Sequence, residues 1–126
     1  MVIIMKKLTE LTRDDLVNLR QALDGYDAEE RLGPMDDIIE RRLLNLVSTI
    51  EEDDKAFILV RRVFGIGCEK EPFKQIAAEQ GVFRERLRQI IEKKRRRLRH
   101  TWSLLIKKER IERTIGRDAN SSTKDI

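Results

Sequence analysis

Four side chains clustered in one segment carry the clearest chemistry in the chain: Arg84, Glu85, Arg88 and Gln89. In the DNA major groove an arginine can bond guanine bidentately, a glutamine can pair with adenine, and a glutamate can accept from cytosine N4. The segment around them is strongly basic. Arg84 to Arg99 holds nine basic residues against two acidic ones, Glu85 and Glu92, a local balance of +7. Such a block is the electrostatic footprint of a surface that displaces counterions from a polyanion, although a solvated helix face has the same composition. Other chemistry has little material. One cysteine, Cys68, and one histidine, His100, can neither close an intrachain disulfide nor furnish a zinc shell, and they argue against Cys-His or Ser-His-Asp catalysis. No catalytic residue, metal ligand or cofactor is expected.

Two further motifs have simple structural readings. The acidic run Glu51 to Asp54 complements the positive end of a helix, and Gly65-Ile66-Gly67 lacks the third glycine and preceding strand of a phosphate loop, so it is read as a turn.

The elements that must position the basic segment follow from apolar spacing. Thr12-Arg13-Asp14-Asp15 resembles a capping box, after which Leu16, Leu19 and Leu23 share one helix face that ends at Gly25. Residues 26–33 read as a charged connector. A second helix starts after Pro34, with Ile38, Ile39, Leu43, Leu46 and Val47 at helical spacing. Thr49-Ile50-Glu51-Glu52 reads as a fuller capping box for a third helix, which buries Phe57, Leu59 or Val60, and Phe64 before Gly65. Pro72 suits the start of a fourth helix, Phe73 to about Gln80, broken by Gly81. The last helix begins near Phe83 or Arg84 and either runs past His100 or restarts near Thr101. Its apolar positions are Leu87, Ile91, Leu98 and Leu105, with Ile90 and Trp102 beside them. Short helix, glycine turn and second helix make a helix-turn-helix, with small Ala77 allowing close approach and the N-terminal side chains of the second helix offered to base edges.

Phe64-Gly65-Ile66, Gln75-Ile76-Ala77, Arg84-Glu85-Arg86-Leu87-Arg88-Gln89-Ile90 and Arg97-Leu98-Arg99-His100 together resemble region 4 of the primary bacterial sigma-70 factors. The resemblance covers about Asp53 to His100 and, more weakly, extends back to Asp36. It implies recognition of a minus-thirty-five promoter element in double-stranded DNA and docking on the flap of the RNA polymerase β subunit. By matching position it implies base-edge contacts for Arg84, Glu85, Arg88 and Gln89, and phosphate or activator contacts for Lys93, Arg96, Arg97 and Arg99. It further implies flap contacts for Phe64, Ile66 and Leu98. Departures from the family pattern are specific. Phe83 replaces a capping threonine, so the helix start loses a hydroxyl; Arg95 replaces a core leucine and Ile91 a glutamate, which together suggest a rotated apolar stripe; and Thr101 replaces the proline after the histidine, so nothing enforces a helix stop. Starting at Met1, the chain leaves no room for the other sigma segments, so a stand-alone region is expected. The alternative is a sigma mimic or anti-sigma-like module that binds polymerase or a sigma factor without reading DNA.

Composition agrees with an all-α, multi-helix bundle ending in a helix-turn-helix of this type. The 126 residues are 40% apolar and 40% charged, with only six glycines and two prolines. The charge is polarised, −6 over residues 1–60 and +10 over residues 61–126. The sequence divides into an acidic helical extension (1–35), the helix-turn-helix domain (36–115) and a polar tail expected to be disordered in isolation (116–126). Within Thr101 to Ile115, the apolar side chains around Trp102 are expected either to fold back on Leu16, Leu19 and Leu23 or to form an interface. Ala56 to Val60 is as long as any uninterrupted apolar run, far short of the roughly 20 residues that span a bilayer. The opening Met1 to Met5 carries its lysines after the apolar stretch and has no small-residue cleavage site, so a cytoplasmic protein with no membrane partner is expected.

Overall fold

The computed structural model describes residues 4–24 and 34–124, with side chains for 4–23 and 34–112. Five helices follow a 3-10 turn at Leu8–Glu10: α1 (Arg13–Asp24), α2 (Asp37–Val47), α3 (Lys55–Phe64), α4 (Phe73–Gln80) and α5 (Arg84–Lys124). No strand occurs among the described residues. The expected stop at Gly25 and the connector 26–33 lie outside them.

Short polar side chains begin the first three helices. Thr12 N–H donates to Asp15 Oδ2 at 2.8 Å while Asp15 N–H donates back to Thr12 Oγ1 at 3.4 Å, a reciprocal box as expected. Asp36 accepts from Ile39 N–H at 2.8 Å, and Asp54 accepts from Phe57 N–H at 3.0 Å. The start of α3 therefore lies later than the sequence suggested. Thr49 is engaged with α2, donating its hydroxyl to the Leu46 carbonyl at 2.7 Å, and Glu52 accepts the Leu8 N–H at 2.6 Å. Because α2 runs to Val47, that hydroxyl is used to satisfy a C-terminal carbonyl and is not left to cap the next helix.

One core runs through all five helices, across the boundary drawn between 1–35 and 36–115. Leu16, Leu19 and Leu23 of α1, Ile39, Leu43 and Leu46 of α2, Phe57 and Val60 of α3, Ile76 of α4, and Leu87, Ile91, Leu98 and Trp102 of α5 are all buried in it. Ile38, expected on the inner face of α2, is half exposed. α5 is the common partner, packing on each of the other four helices. Its buried positions, Leu87, Ile91, Leu98 and Trp102, fall at steps of four and seven, the stripe of one helical face.

Arg95, standing in that stripe, is accommodated because its polar head has partners. The guanidinium donates to the Ala22 carbonyl near the end of α1 at 2.7 Å, pairs with Glu92, and lies 5.2 Å from the centroid of the Phe64 ring. The adjacent Lys94 pairs with Asp54 at 2.6 Å, tying α5 to the start of α3. Burial pushes the Asp54 carboxyl up, but the bonds from Lys94 and the Phe57 N–H outweigh it and hold the pKa below the usual aspartate value.

α5 does not stop at Thr101 or turn back. It continues as one helix through 41 residues, about 60 Å; the stretch from Trp102 to Glu112 lies along α2, with Trp102 in the same buried core as Leu16, Leu19 and Leu23. Trp102 is buried there, Arg42 Nε pairs with Glu109 at 3.0 Å, and a cleft of about 310 Å³ separates the two helices between Asn45, Leu105 and Ile106. The helix passes Gly116, and the side chains of the expected tail, like that of Ile115, lie outside the described ones. No helix among the described residues is long and apolar enough to cross a membrane.

Candidate nucleic-acid interface

The turn between α4 and α5 sets the geometry of the basic segment. Gly81 adopts φ +67°, a left-handed conformation that a side chain disfavours, and Val82 N–H reaches back to the Ala77 carbonyl at 3.1 Å. Ala77 is buried at the crossing, and Ile76 packs with Leu87 in the core below it. With Leu87 and Ile91 directed inward, the opposite side of α5 is free to face solvent.

Arg84, Glu85, Arg88 and Gln89 are all exposed on the first two turns of α5, as are Lys93, Arg96 and Arg97 further along. Arg99 differs, being half-buried with a guanidinium nitrogen 4.0 Å from Glu92. Glu85 and Arg88 form an exposed pair at 3.7 Å with both side chains 67% accessible; such pairs contribute about 0 to 1 kcal/mol and open readily. From Arg84 to Arg99 the surface extends about 22 Å at 1.5 Å per residue. The full charge of the segment is not all displayed, because Lys94 and Arg95 are committed to Asp54, Ala22, Glu92 and Phe64.

The expected apolar flap patch is absent as a surface. Ile66 is 0% exposed and Leu98 is 3% exposed, while Phe64 is half-buried beneath Arg95. Ile66 turns inward between two glycines, its carbonyl accepting from Arg61 Nε at 2.8 Å, and Leu98 lies on the core stripe of α5. All three close the core.

Two adjacent arginines were not anticipated as positioning groups. Arg62 is 4% exposed and bonds Glu71 through two nitrogens at 2.6 and 2.9 Å, with a third contact to Glu79 on α4. α4 is thereby tied to α3. The bond from Arg62 holds the Glu71 carboxyl below its usual pKa, and Glu71 in turn raises the Arg62 guanidinium above its own. Arg61, 2% exposed, donates to the Ile66 and Lys6 carbonyls and fixes the N-terminal segment against the loop after α3. Burial lowers its pKa. Asp15 closes the same junction, accepting from Gly67 N–H at 3.1 Å and Lys6 Nζ at 3.1 Å. Burial also pushes Asp15 up, yet the bonds from Thr12, Lys6 and Gly67 hold it below the usual aspartate value. The sequence signal for these arginines was their position inside the otherwise apolar run of α3, where burial requires partners.

Other exposed side chains on these two helices have no assigned role: Lys74 and Gln75 at the start of α4, and Phe83 and Arg86 at the start of α5. Among the described residues no group of three or more histidine, cysteine, aspartate or glutamate side chains could hold a metal ion. Burial raises the Cys68 thiol above its ordinary pKa, and the thiol donates to the Arg61 carbonyl at 3.3 Å. No family model, curated protein or solved structure matches the chain.

Proposed function

We propose that this protein is a DNA-binding transcription regulator acting with bacterial RNA polymerase, reading a minus-thirty-five-like promoter element through a helix-turn-helix formed by α4 and α5. The observation that carries the reading is the joint exposure of Arg84, Glu85, Arg88 and Gln89 on the first turns of α5, on a helix locked to α4 from beneath by Leu87 and Ile76. These are the side-chain types that discriminate base edges, on the part of a second helix that enters the major groove. Lys93, Arg96 and Arg97 follow on the exposed surface and supply phosphate contacts, with Arg99 at its margin. The link to polymerase comes from the sequence resemblance to sigma region 4. With Ile66 and Leu98 buried, a polymerase contact would use other residues.

The test is selection of binding sites from random duplexes, followed by affinity measurements on selected and random DNA. Arg84→Ala and Gln89→Ala should each relax preference at one base pair, by about 1 to 3 kcal/mol. Arg96→Ala should weaken all sequences alike and reduce the salt slope by about one. Equal losses on both kinds of DNA for all three variants would defeat the sequence-reading claim.

The alternative, a sigma mimic or anti-sigma-like module that binds polymerase or a sigma factor, is favoured by one observation. Leu104 and Ile111, two turns apart on α5, are 51% and 58% exposed. Pull-down against polymerase core and holoenzyme, with and without promoter DNA, separates the two readings.

A further inference from the structure

Phe83 is the most exposed large apolar side chain among the described residues, at 87%. It occupies the position just before α5, where its carbonyl accepts the Leu87 N–H at 3.1 Å but its side chain can cap nothing. The starts of α1, α2 and α3 all use an oxygen-bearing side chain at the corresponding place. At α5 the chain forgoes both a cap and the burial of an aromatic ring, and it does so beside the exposed Arg84, Glu85 and Arg86. Neither stability nor solubility accounts for a bare ring in that setting.

We infer that Phe83 is a specificity-determining residue that packs against the 5-methyl group of a thymine in the major groove, at the edge of the site read by Arg84, Glu85, Arg88 and Gln89. The inference rests on the DNA-reading function proposed above. Inside an intact duplex the base faces are stacked and inaccessible from the major groove, and the thymine methyl is the apolar group displayed on the base edges there. A ring at the N-terminal tip of the reading helix meets that methyl when the helix enters the groove. Arginine, glutamate and glutamine read the polar base edges, and Phe83 supplies the apolar contact they cannot make.

The experiment uses the full chain and the duplex recovered by selection from random DNA. Each thymine is replaced singly by deoxyuridine, which removes only the methyl, and affinities are measured by fluorescence anisotropy for the wild type and for Phe83→Ser. Serine restores a capping oxygen, so the variant folds without the ring. The expected result is one thymine whose methyl removal weakens wild-type binding about fourfold, the scale of one buried methyl group, with no loss at that position in Phe83→Ser. Three outcomes would overturn the inference while leaving the DNA-reading function in place: a selected site lacking thymine, uracil tolerated at every position, or an equal uracil penalty in the variant. Failure to select any preferred sequence would remove the underlying function and the inference with it.

Discussion

Replacing Arg62 by methionine tests how α4, and through it the exposed surface of α5, is held in place. Methionine keeps much of the buried stem but leaves Glu71 and Glu79 without their cation. Removing one partner of a buried pair costs about 3 to 5 kcal/mol. Here the lower end is expected, about 3 kcal/mol, because Glu79 is 49% exposed and rehydrates, whereas Glu71 is 14% exposed and loses two charged hydrogen bonds. The same geometry orders the partner variants. Glu71→Gln should cost about 1.5 to 3 kcal/mol, and Glu79→Gln no more than about 1 kcal/mol. Urea unfolding at pH 7, followed by circular dichroism, measures all three. The pH dependence supplies an independent check. The native Glu71 carboxyl titrates below its usual value of 4.5, so the stability it contributes is complete above that pH and is lost as pH falls through the lowered native pKa. The gap between wild type and Glu71→Gln should therefore shrink below about pH 4.5. A neutral Arg62→Met, or equal costs for Glu71→Gln and Glu79→Gln, would refute the reasoning.

Leu98→Ala should lose about 2 to 5 kcal/mol in urea unfolding, as a core leucine does, whereas an unchanged midpoint would place Leu98 on a surface. Gly67→Ala should destabilise more than Gly81→Ala. Both have positive φ, costing about 1 to 2 kcal/mol, but a Cβ at Gly67 meets Arg61 Nη2 and Leu11 Cδ2 at 2.7 Å while one at Gly81 meets nothing within 4 Å. Equal shifts in thermal midpoint would contradict the packing around Arg61. Trp102, 7% exposed, should show blue-shifted emission protected from acrylamide at every protein concentration; solvent-like emission would mean that α5 around Trp102 does not pack into the core.

Helical periodicity made most of the fold legible, because one apolar face per helix is enough to place Leu16, Leu43, Phe57 and Leu87 inside. What escaped were the partners of polar groups, which depend on residues far away in sequence. Thr49 looked like an N-cap because its neighbours fit the motif, yet its hydroxyl serves the carbonyl of Leu46. Lys94 and Asp54 are 40 residues apart, and nothing local marks them as a pair. Arg95 looked like a breach in an apolar stripe until the Ala22 carbonyl and the Phe64 ring were seen to receive it. Of the candidate site residues, those proposed to touch DNA were marked by charge and are exposed apart from the half-buried Arg99. The proposed flap residues were marked only by apolarity, a property that a core and a docking surface share.

The placement of α5 bears on how the protein is made. It leaves the ribosome after the other four described helices, yet each of them packs on it. A nascent chain that has reached Gln80 carries α1, α2, α3 and α4 with the faces that α5 covers still open to solvent. At 5 to 20 residues per second, synthesis of the next 29 residues, through Glu109 and its contact with Arg42, takes about 1.5 to 6 s. During that interval the apolar faces are available to chaperones and to other nascent chains. The helix that displays the basic surface on one side ends the exposure with the other, so the chain acquires this surface and its protection from aggregation together.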